Sequence, residues 1–133
     1  MIENDFNKKP TKTTDAFFRS FDPNNGFGFP VPDEWQQELY NYLVMGFDPG
    51  SFFTAVMAND LVGAAAKSHP ANTWRAIQQL MKWILNKAPG VSWGSYDRVH
   101  DWLKLSAEER KEILERYKLL YTEKDIMWNI LNK

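Results

Sequence analysis

Between Ser51 and Ala66 the chain reads SFFTAVMANDLVGAAA, in which only Asn59 and Asp60 are strongly polar. A helix on a protein surface has a polar face toward solvent, whereas a helix that is apolar all round is surrounded by other elements. The sequence therefore predicts that residues 51–66 form one central helix, and that the rest of the fold packs around it.

The two polar residues of this predicted helix point toward packing surfaces. At about 100° per residue, Asp60 falls within the stripe of Phe53 and Met57, and Asn59 falls on a neighbouring face. A buried carboxylate is costly without a donor, so Asp60 must find a hydrogen-bond partner. In the interpretation that we favour, Asn59 and Asp60 tie the loop around Trp93 to the central helix.

The second interpretation is a polar pocket for a small ligand or an enzymatic reaction. Asn59, Asp60, Ser95 and His100 would line this pocket. A cavity with convergent polar groups beside Asp60 would favour it. Pairing of the carboxylate within the protein would weaken it.

Composition sets the outer limits of the fold. The 133 residues, of which 44% are hydrophobic and 15% aromatic, are enough for one compact domain. The chain has no Cys, which excludes disulfides and thiolate metal ligands and fits a reducing compartment. Its start has no apolar signal core, and no stretch approaches the ~18 apolar residues of a membrane span. We expect a cytoplasmic protein without membrane contacts.

The charge balance disfavours nucleic-acid binding. The chain has 16 basic and 17 acidic residues, whereas a nucleic-acid-binding domain usually has a basic excess on one face. Arg75, Lys82 and Lys87 do form a modest basic side on one predicted helix. A solvated helix face is the simpler explanation of that pattern, and weak nucleic-acid binding stays a third hypothesis.

Turn and capping signals divide residues 33–133 into helices. The predicted fold class is all-α, a single compact bundle of five to six helices around the central apolar helix. The predicted helices cover Asp33 to Met45, Ser51 to Ala66, Asn72 to Lys87, Tyr96 to Leu103, a segment that starts after Ser106, and a last segment around residues 123–131.

Two of these helices carry more specific predictions. The third helix has a narrow apolar seam, predicted to lie along the central helix, with Trp74, Ile77, Met81, Ile84 and Ala88 at alternating spacings of three and four. Ser106 and Glu109 match a capping box, in which each side chain satisfies a backbone donor of the other residue. Arg110 falls on the charged outer face of the helix that this box starts.

Residues 1–32 form an N-terminal arm, predicted to be partly disordered or strap-like. The arm is rich in phenylalanine, with Phe17, Phe18, Phe21 and Phe27 as the main examples. These rings either pack on the domain's own helices or bind a partner. Trp93 also has two interpretations. It either covers the central helix as a lid or is an exposed anchor at an interface.

The residues that usually carry catalysis do not form recognisable motifs. His69 and His100 are the only histidines, and neither stands at metal-ligand spacing from other ligands. No nucleophile-elbow sequence surrounds any serine, and the glycines are scattered rather than grouped in a phosphate-binding loop. We therefore expect no catalytic residue, no metal and no cofactor.

One sequence pattern resembles a known family. PGSFFTAV at residues 49–56, NDL at 59–61 and WGS at 93–95, followed by Val99 and Trp102, are similar to a family of small uncharacterised helical proteins that phages and prophages encode. The family has no assigned reaction, so the resemblance implies no catalytic residue. It implies a context, since such accessory proteins often act by binding a host or viral protein, in the host cytoplasm.

The sequence thus predicts a non-enzymatic protein-interaction module, for example a phage-encoded accessory protein or inhibitor. Its predicted partner-binding residues are Trp93, Phe17, Phe18, Phe21 and Phe27. The alternatives are the pocket around Asp60 and weak nucleic-acid binding. A homodimer stays open, because apolar stripes on the first or last helix would serve a second copy equally well.

Overall fold

The computed structural model describes residues 12–22 and 29–120 and confirms the all-α fold. In these two ranges there are seven α-helices, one short 3-10 helix and no strand. The helices are α1 (Lys12–Arg19), α2 (Asp33–Leu43), α3 (Gly50–Met57), α4 (Leu61–Lys67), α5 (Trp74–Lys87), α6 (Tyr96–Lys104) and α7 (Ala107–Arg116), with the 3-10 helix Gly90–Ser92 before α6. Phe27 and the predicted last helix lie outside the described residues.

The predicted central helix is in fact two helices, α3 and α4. Asn59 has a left-handed φ of 63°, a conformation that Asn tolerates better than most residues, and the chain turns there. Asp60 then caps α4, because its Oδ1 accepts a hydrogen bond from the backbone N–H of Gly63 at 2.9 Å. The prediction of one continuous helix over residues 51–66 is wrong, since Asn59 and Asp60 act as turn and cap residues.

Helix α3 alone keeps the central position. Its buried residues are Phe53, Ala55, Val56 and Met57. Helix α4 buries only Ala64, so most of its apolar surface faces solvent. In the part of the chain that the structure describes, no helix is both long enough and apolar enough to cross a bilayer.

The N-terminal arm contributes helix α1 to the same core. Phe17 and Phe21 are buried, and the ring of Phe21 stacks on Trp83 of α5 with centroids 4.8 Å apart. The indole N–H of Trp83 donates to Ser20 Oγ at 2.8 Å. The expected irregular arm therefore holds helix α1, and Phe17 and Phe21 pack in the core of the domain.

Side-chain caps begin the later helices where the sequence predicts. Ser95 Oγ accepts from the N–H of Arg98 at 3.1 Å and starts α6. At the start of α7, Ser106 Oγ accepts from the N–H of Glu109 at 3.1 Å, and Glu109 Oε1 accepts from the N–H of Ser106 at 2.9 Å. The predicted capping box is confirmed.

Arg110 is buried, although it was expected on the charged outer face of α7. Only 6% of its surface is exposed. Its Nε donates to the carbonyl of Val44 at 3.2 Å and its Nη2 to that of Met45 at 3.3 Å, while Nη1 donates to Leu105. Carbonyls at the end of a helix lack partners within the helix, so the guanidinium completes the end of α2.

Gly46 lets the chain pass closely beside this guanidinium. A Cβ atom at Gly46 would lie 2.5 Å from Arg110 Cζ, and the φ of this glycine is +72°. Both the close approach and the left-handed conformation favour glycine. The turn after α2 and the burial of Arg110 therefore depend on each other.

We expect Arg110→Met to lower the free energy of unfolding by about 2–4 kcal/mol, because three backbone carbonyls lose their donor. Arg110→Lys should recover only part of this loss, since an ammonium group lacks the planar fork of the guanidinium. Urea unfolding followed by circular dichroism measures the difference.

Lys111→Met is the matched control, because Lys111 is the exposed neighbour of Arg110 on α7. Its free energy of unfolding should stay within about 0.5 kcal/mol of the wild type. Equal stability of Arg110→Met and Lys111→Met would contradict the role given to the guanidinium.

Candidate protein-interaction surface

Asp60 has two hydrogen-bond partners within the protein. Besides capping α4, it accepts from the hydroxyl of Tyr96, which donates to Oδ2 at 2.5 Å. The N–H of Gly94 donates to the carbonyl of Met57 at 2.7 Å nearby. Together these bonds join the break between α3 and α4 to the beginning of α6.

The hydrogen bonds also set the titration of both side chains. The bond from Tyr96, and then that from Gly63, hold the pKa of the Asp60 carboxyl below its ordinary 3.8. The same bond to Asp60 raises the pKa of the Tyr96 phenol above its ordinary 10.0. Asp60 is therefore an ionised structural carboxylate at neutral pH, and it lacks the raised pKa that suits a general acid.

The other residues predicted for the Asp60 pocket are exposed or serve as a helix cap. Ser95 uses its hydroxyl to cap α6, and the side chains of Asn59 and His100 are exposed. None of these residues lines the clefts described below. Within residues 12–22 and 29–120, no group of three or more His, Asp or Glu side chains is placed to hold a metal ion.

The aromatic residues predicted to bind a partner lie mainly in or against the core. Phe17 and Phe21 are buried, and Phe18 stacks on Tyr40 with centroids 5.3 Å apart. Trp93 is half-buried and packs against the core. These rings pack on the domain's own helices, which is the first of the two interpretations that the sequence allows.

An apolar groove instead lies between α4 and α5. Its volume is about 320 Å³. Ala64 and Ala65 of α4 face Ile77 and Met81 of α5 across it, with Phe52 also in its lining. Ser68, His69, Pro70 and Asn72, from the connection between the two helices, also belong to the lining. The lining is mostly aliphatic and aromatic, so the groove suits apolar side chains.

Exposed apolar side chains extend this surface beyond the groove. The exposed fractions are 59% for Leu61, 79% for Val62, 64% for Trp74 and 68% for Leu85. Trp74, Met81 and Leu85 stand at positions i, i+7 and i+11 of α5 and therefore share one helix face. Several exposed large apolar side chains on neighbouring helices are typical of interaction sites.

The predicted apolar seam of α5 is only partly buried, although Ile77 and Met81 do lie beside residues of the predicted central helix. Of the predicted seam, Ile84 and Ala88 are buried, Ile77 and Met81 are half-buried, and Trp74 is exposed. The core side of α5 is formed by Leu80, Trp83 and Ile84. A signal for the groove was present in Asn59 and Asp60, because a turn there removes α4 from the centre.

A second cleft, of about 590 Å³, lies between α6, α7 and the 3-10 helix. Its lining includes the charged residues Arg98 and Asp101. It also includes Tyr117, close to Leu120, where the described chain ends. The lining of the groove between α4 and α5 contains no Asp, Glu, Lys or Arg, so that groove is the more apolar of the two surfaces.

Comparison of the chain with protein families, with curated proteins and with solved structures found no match.

Tyr96→Phe removes the main cause of the low pKa of Asp60, so we expect that pKa to rise toward 3.8. A carboxyl whose pKa is lowered by folding stabilises the fold above its unfolded pKa, and this contribution is lost as the pH falls through the folded pKa. The urea midpoints of wild type and Tyr96→Phe should therefore differ most at pH 7, begin to converge near the unfolded pKa of about 4, and meet only below the lowered folded pKa of Asp60. NMR titration of the Asp60 carboxyl gives the pKa directly.

Tyr40→Phe is the control, because burial alone raises the pKa of Tyr40 and no carboxylate is involved. Its difference from wild type should stay constant through the acid range. The same convergence in both variants would contradict the assignment to the bond between Tyr96 and Asp60.

Proposed function

We propose that this chain is a non-enzymatic protein-interaction module, of the accessory type that phages and prophages encode, and that it binds a host or viral protein through the groove between α4 and α5. One observation carries the proposal. Trp74 and Leu61 stand exposed at the mouth of an apolar groove, next to further exposed apolar side chains.

The energetics favour a partner that covers these side chains. Complete burial of one large apolar side chain contributes about 1.5–3 kcal/mol, and tryptophan is among the residues that dominate interface energies. Several exposed side chains on two adjacent helices thus offer enough apolar area for a specific contact. Because Ala64 is the one buried residue of α4, the other side chains of that helix can contact a partner.

The extent of the apolar surface favours a polypeptide over a small ligand. A cavity of about 320 Å³ is at the small end of ligand pockets. However, Val62 and Leu85 are exposed without belonging to its lining. A small molecule in the groove would leave both in water, whereas a protein segment that lies across α4 and α5 would cover them.

The pocket around Asp60 is the weaker alternative. Its carboxylate is held by Tyr96 and Gly63, and Ser95 is used as a helix cap. A reaction there would have to break the contacts that position α4. This pairing of the carboxylate within the protein weakens the hypothesis of a pocket at Asp60.

We expect Trp74→Ser to abolish capture of a specific protein from a bacterial host lysate, because the variant loses the largest side chain at the mouth of the groove. Phe47→Ser is the matched control, since Phe47 is 55% exposed and lies outside the groove lining. A protein retained by wild type and Phe47→Ser and lost by Trp74→Ser is then purified and mixed with the chain. Hydrogen exchange should show protection in α4 and α5.

Protection elsewhere, with α4 and α5 unchanged, would contradict the placement of the binding surface. Equal capture by Trp74→Ser and Phe47→Ser would contradict it as well. Both variants must first give the circular dichroism spectrum of the wild type.

A further inference from the structure

Charge is distributed unevenly along this nearly neutral chain. Between Leu61 and Tyr96 there are four basic residues, Lys67, Arg75, Lys82 and Lys87, and no Asp or Glu. The whole chain has 16 basic and 17 acidic residues, so its acidic excess lies entirely outside this segment. The segment contains both helices of the groove.

Two of the four basic residues lie beside the apolar stripe of α5. Arg75 follows Trp74, and Lys82 follows Met81, so both stand about 100° around the helix from the stripe and on the same side of it. They are seven positions apart, which places them about two turns from each other along the helix. Both side chains are exposed, and within the described ranges neither has an ion-pair or hydrogen-bond partner.

The surface around the groove therefore has two different sides. Helix α4 forms an apolar wall with Leu61 and Ala65. Arg75 and Lys82 lie outside the groove lining, on the flank of the α5 stripe that faces away from Ile77, and both are exposed. A helix laid along this surface would place its apolar stripe on Trp74 and its flank against two cations. Complementary charge at that flank strengthens binding and fixes orientation.

We propose that the occupant of the groove is an amphipathic helix of the partner whose apolar stripe is flanked by acidic side chains on the edge that meets Arg75 and Lys82. This inference rests on the proposed function and specifies the chemistry of the partner segment.

The same charges argue against a second copy of this chain as the occupant. Two α5 helices that pack antiparallel around a twofold axis bring equivalent flanks to the same side of the contact. Arg75 and Lys82 of one copy would then meet the same residues of the other. Like charges in direct opposition destabilise such a contact.

Nucleic acid fits the groove less well than an apolar helix does. Phosphates are bound by several basic groups that converge on one face, whereas Arg75 and Lys82 lie outside a lining in which apolar side chains outnumber the polar Ser68, His69 and Asn72. A mostly aliphatic and aromatic lining suits the apolar stripe of a helix better than a phosphate backbone.

The test uses three synthetic peptides of about fourteen residues, long enough to run beside α5. The first has a leucine stripe flanked by glutamates, the second has lysines in place of the glutamates, and the third has the acidic composition with the stripe scrambled. Fluorescence anisotropy of each labelled peptide with the full chain gives the dissociation constants. We expect the first peptide to bind about tenfold tighter than either of the others, with the preference reduced at high salt.

Charge reversal localises the effect. The double variant Arg75→Glu with Lys82→Glu should prefer the lysine peptide to the acidic one. Lys111→Glu, which changes an exposed lysine on α7, should keep the wild-type preference. Trp74→Ser should weaken binding of both amphipathic peptides.

The outcomes separate this inference from the proposed function. If both amphipathic peptides bind equally and Trp74→Ser weakens both, the groove binds helices without regard to charge, and only the acidic flank is overturned. If none of the peptides binds, and duplex DNA or anionic vesicles bind in a way that depends on Arg75 and Lys82, the protein-binding function is overturned as well.

Zero-length carbodiimide cross-linking of the full chain without peptide tests whether its own terminal residues fill the groove. Residues 121–133 include Glu123 and Asp125. A cross-link from Lys82 to either carboxylate, found by mass spectrometry, would overturn the assignment to an external helix. A cross-link from Lys82 to the acidic peptide, in its presence, supports it.

Discussion

The hydrogen bonds around Asn59 and Asp60 divide a stretch of sequence that would otherwise be one apolar helix. The left-handed φ of Asn59 turns the chain, Asp60 caps the next helix, and Tyr96 fixes the carboxylate from α6. Because of this turn, α3 stays in the core while α4 moves to the surface. The apolar residues of α4 thereby form one wall of a groove and are not surrounded on all sides.

The prediction of the fold succeeded where the signals were local. Ser95 and Ser106 begin helices through bonds to backbone groups three residues away, so the sequence alone shows them. The turn at Asn59 and Asp60 was also local, but the apolar residues on both sides favoured a continuous helix. A cap and a buried polar pair look alike in sequence, because both place short polar side chains among apolar ones.

The surroundings of α5 and Arg110 depend on contacts that sequence spacing does not reveal. Apolar residues cover a wide arc of α5, from Trp83 through Leu80 and Ile84 to Trp74, and the core takes only the first part of it. Arg110 looks like an ordinary member of a charged face until the end of α2 is placed beside it. Spacing does not show which part of an apolar arc meets the core. The sequence therefore predicts a buried stripe on α5 where the structure has an exposed surface.

The position of α4 links the stability of this fold to its candidate surface. A helix of seven residues is too short to persist by its own propensity, and α4 buries only Ala64. Its place depends on Ala64 in the core, on the cap at Asp60 and on the bond from Tyr96 to that carboxylate. A partner that covers Leu61 and Val62 would add the apolar contacts that α4 lacks in the free protein, so binding and the ordering of this wall would reinforce each other.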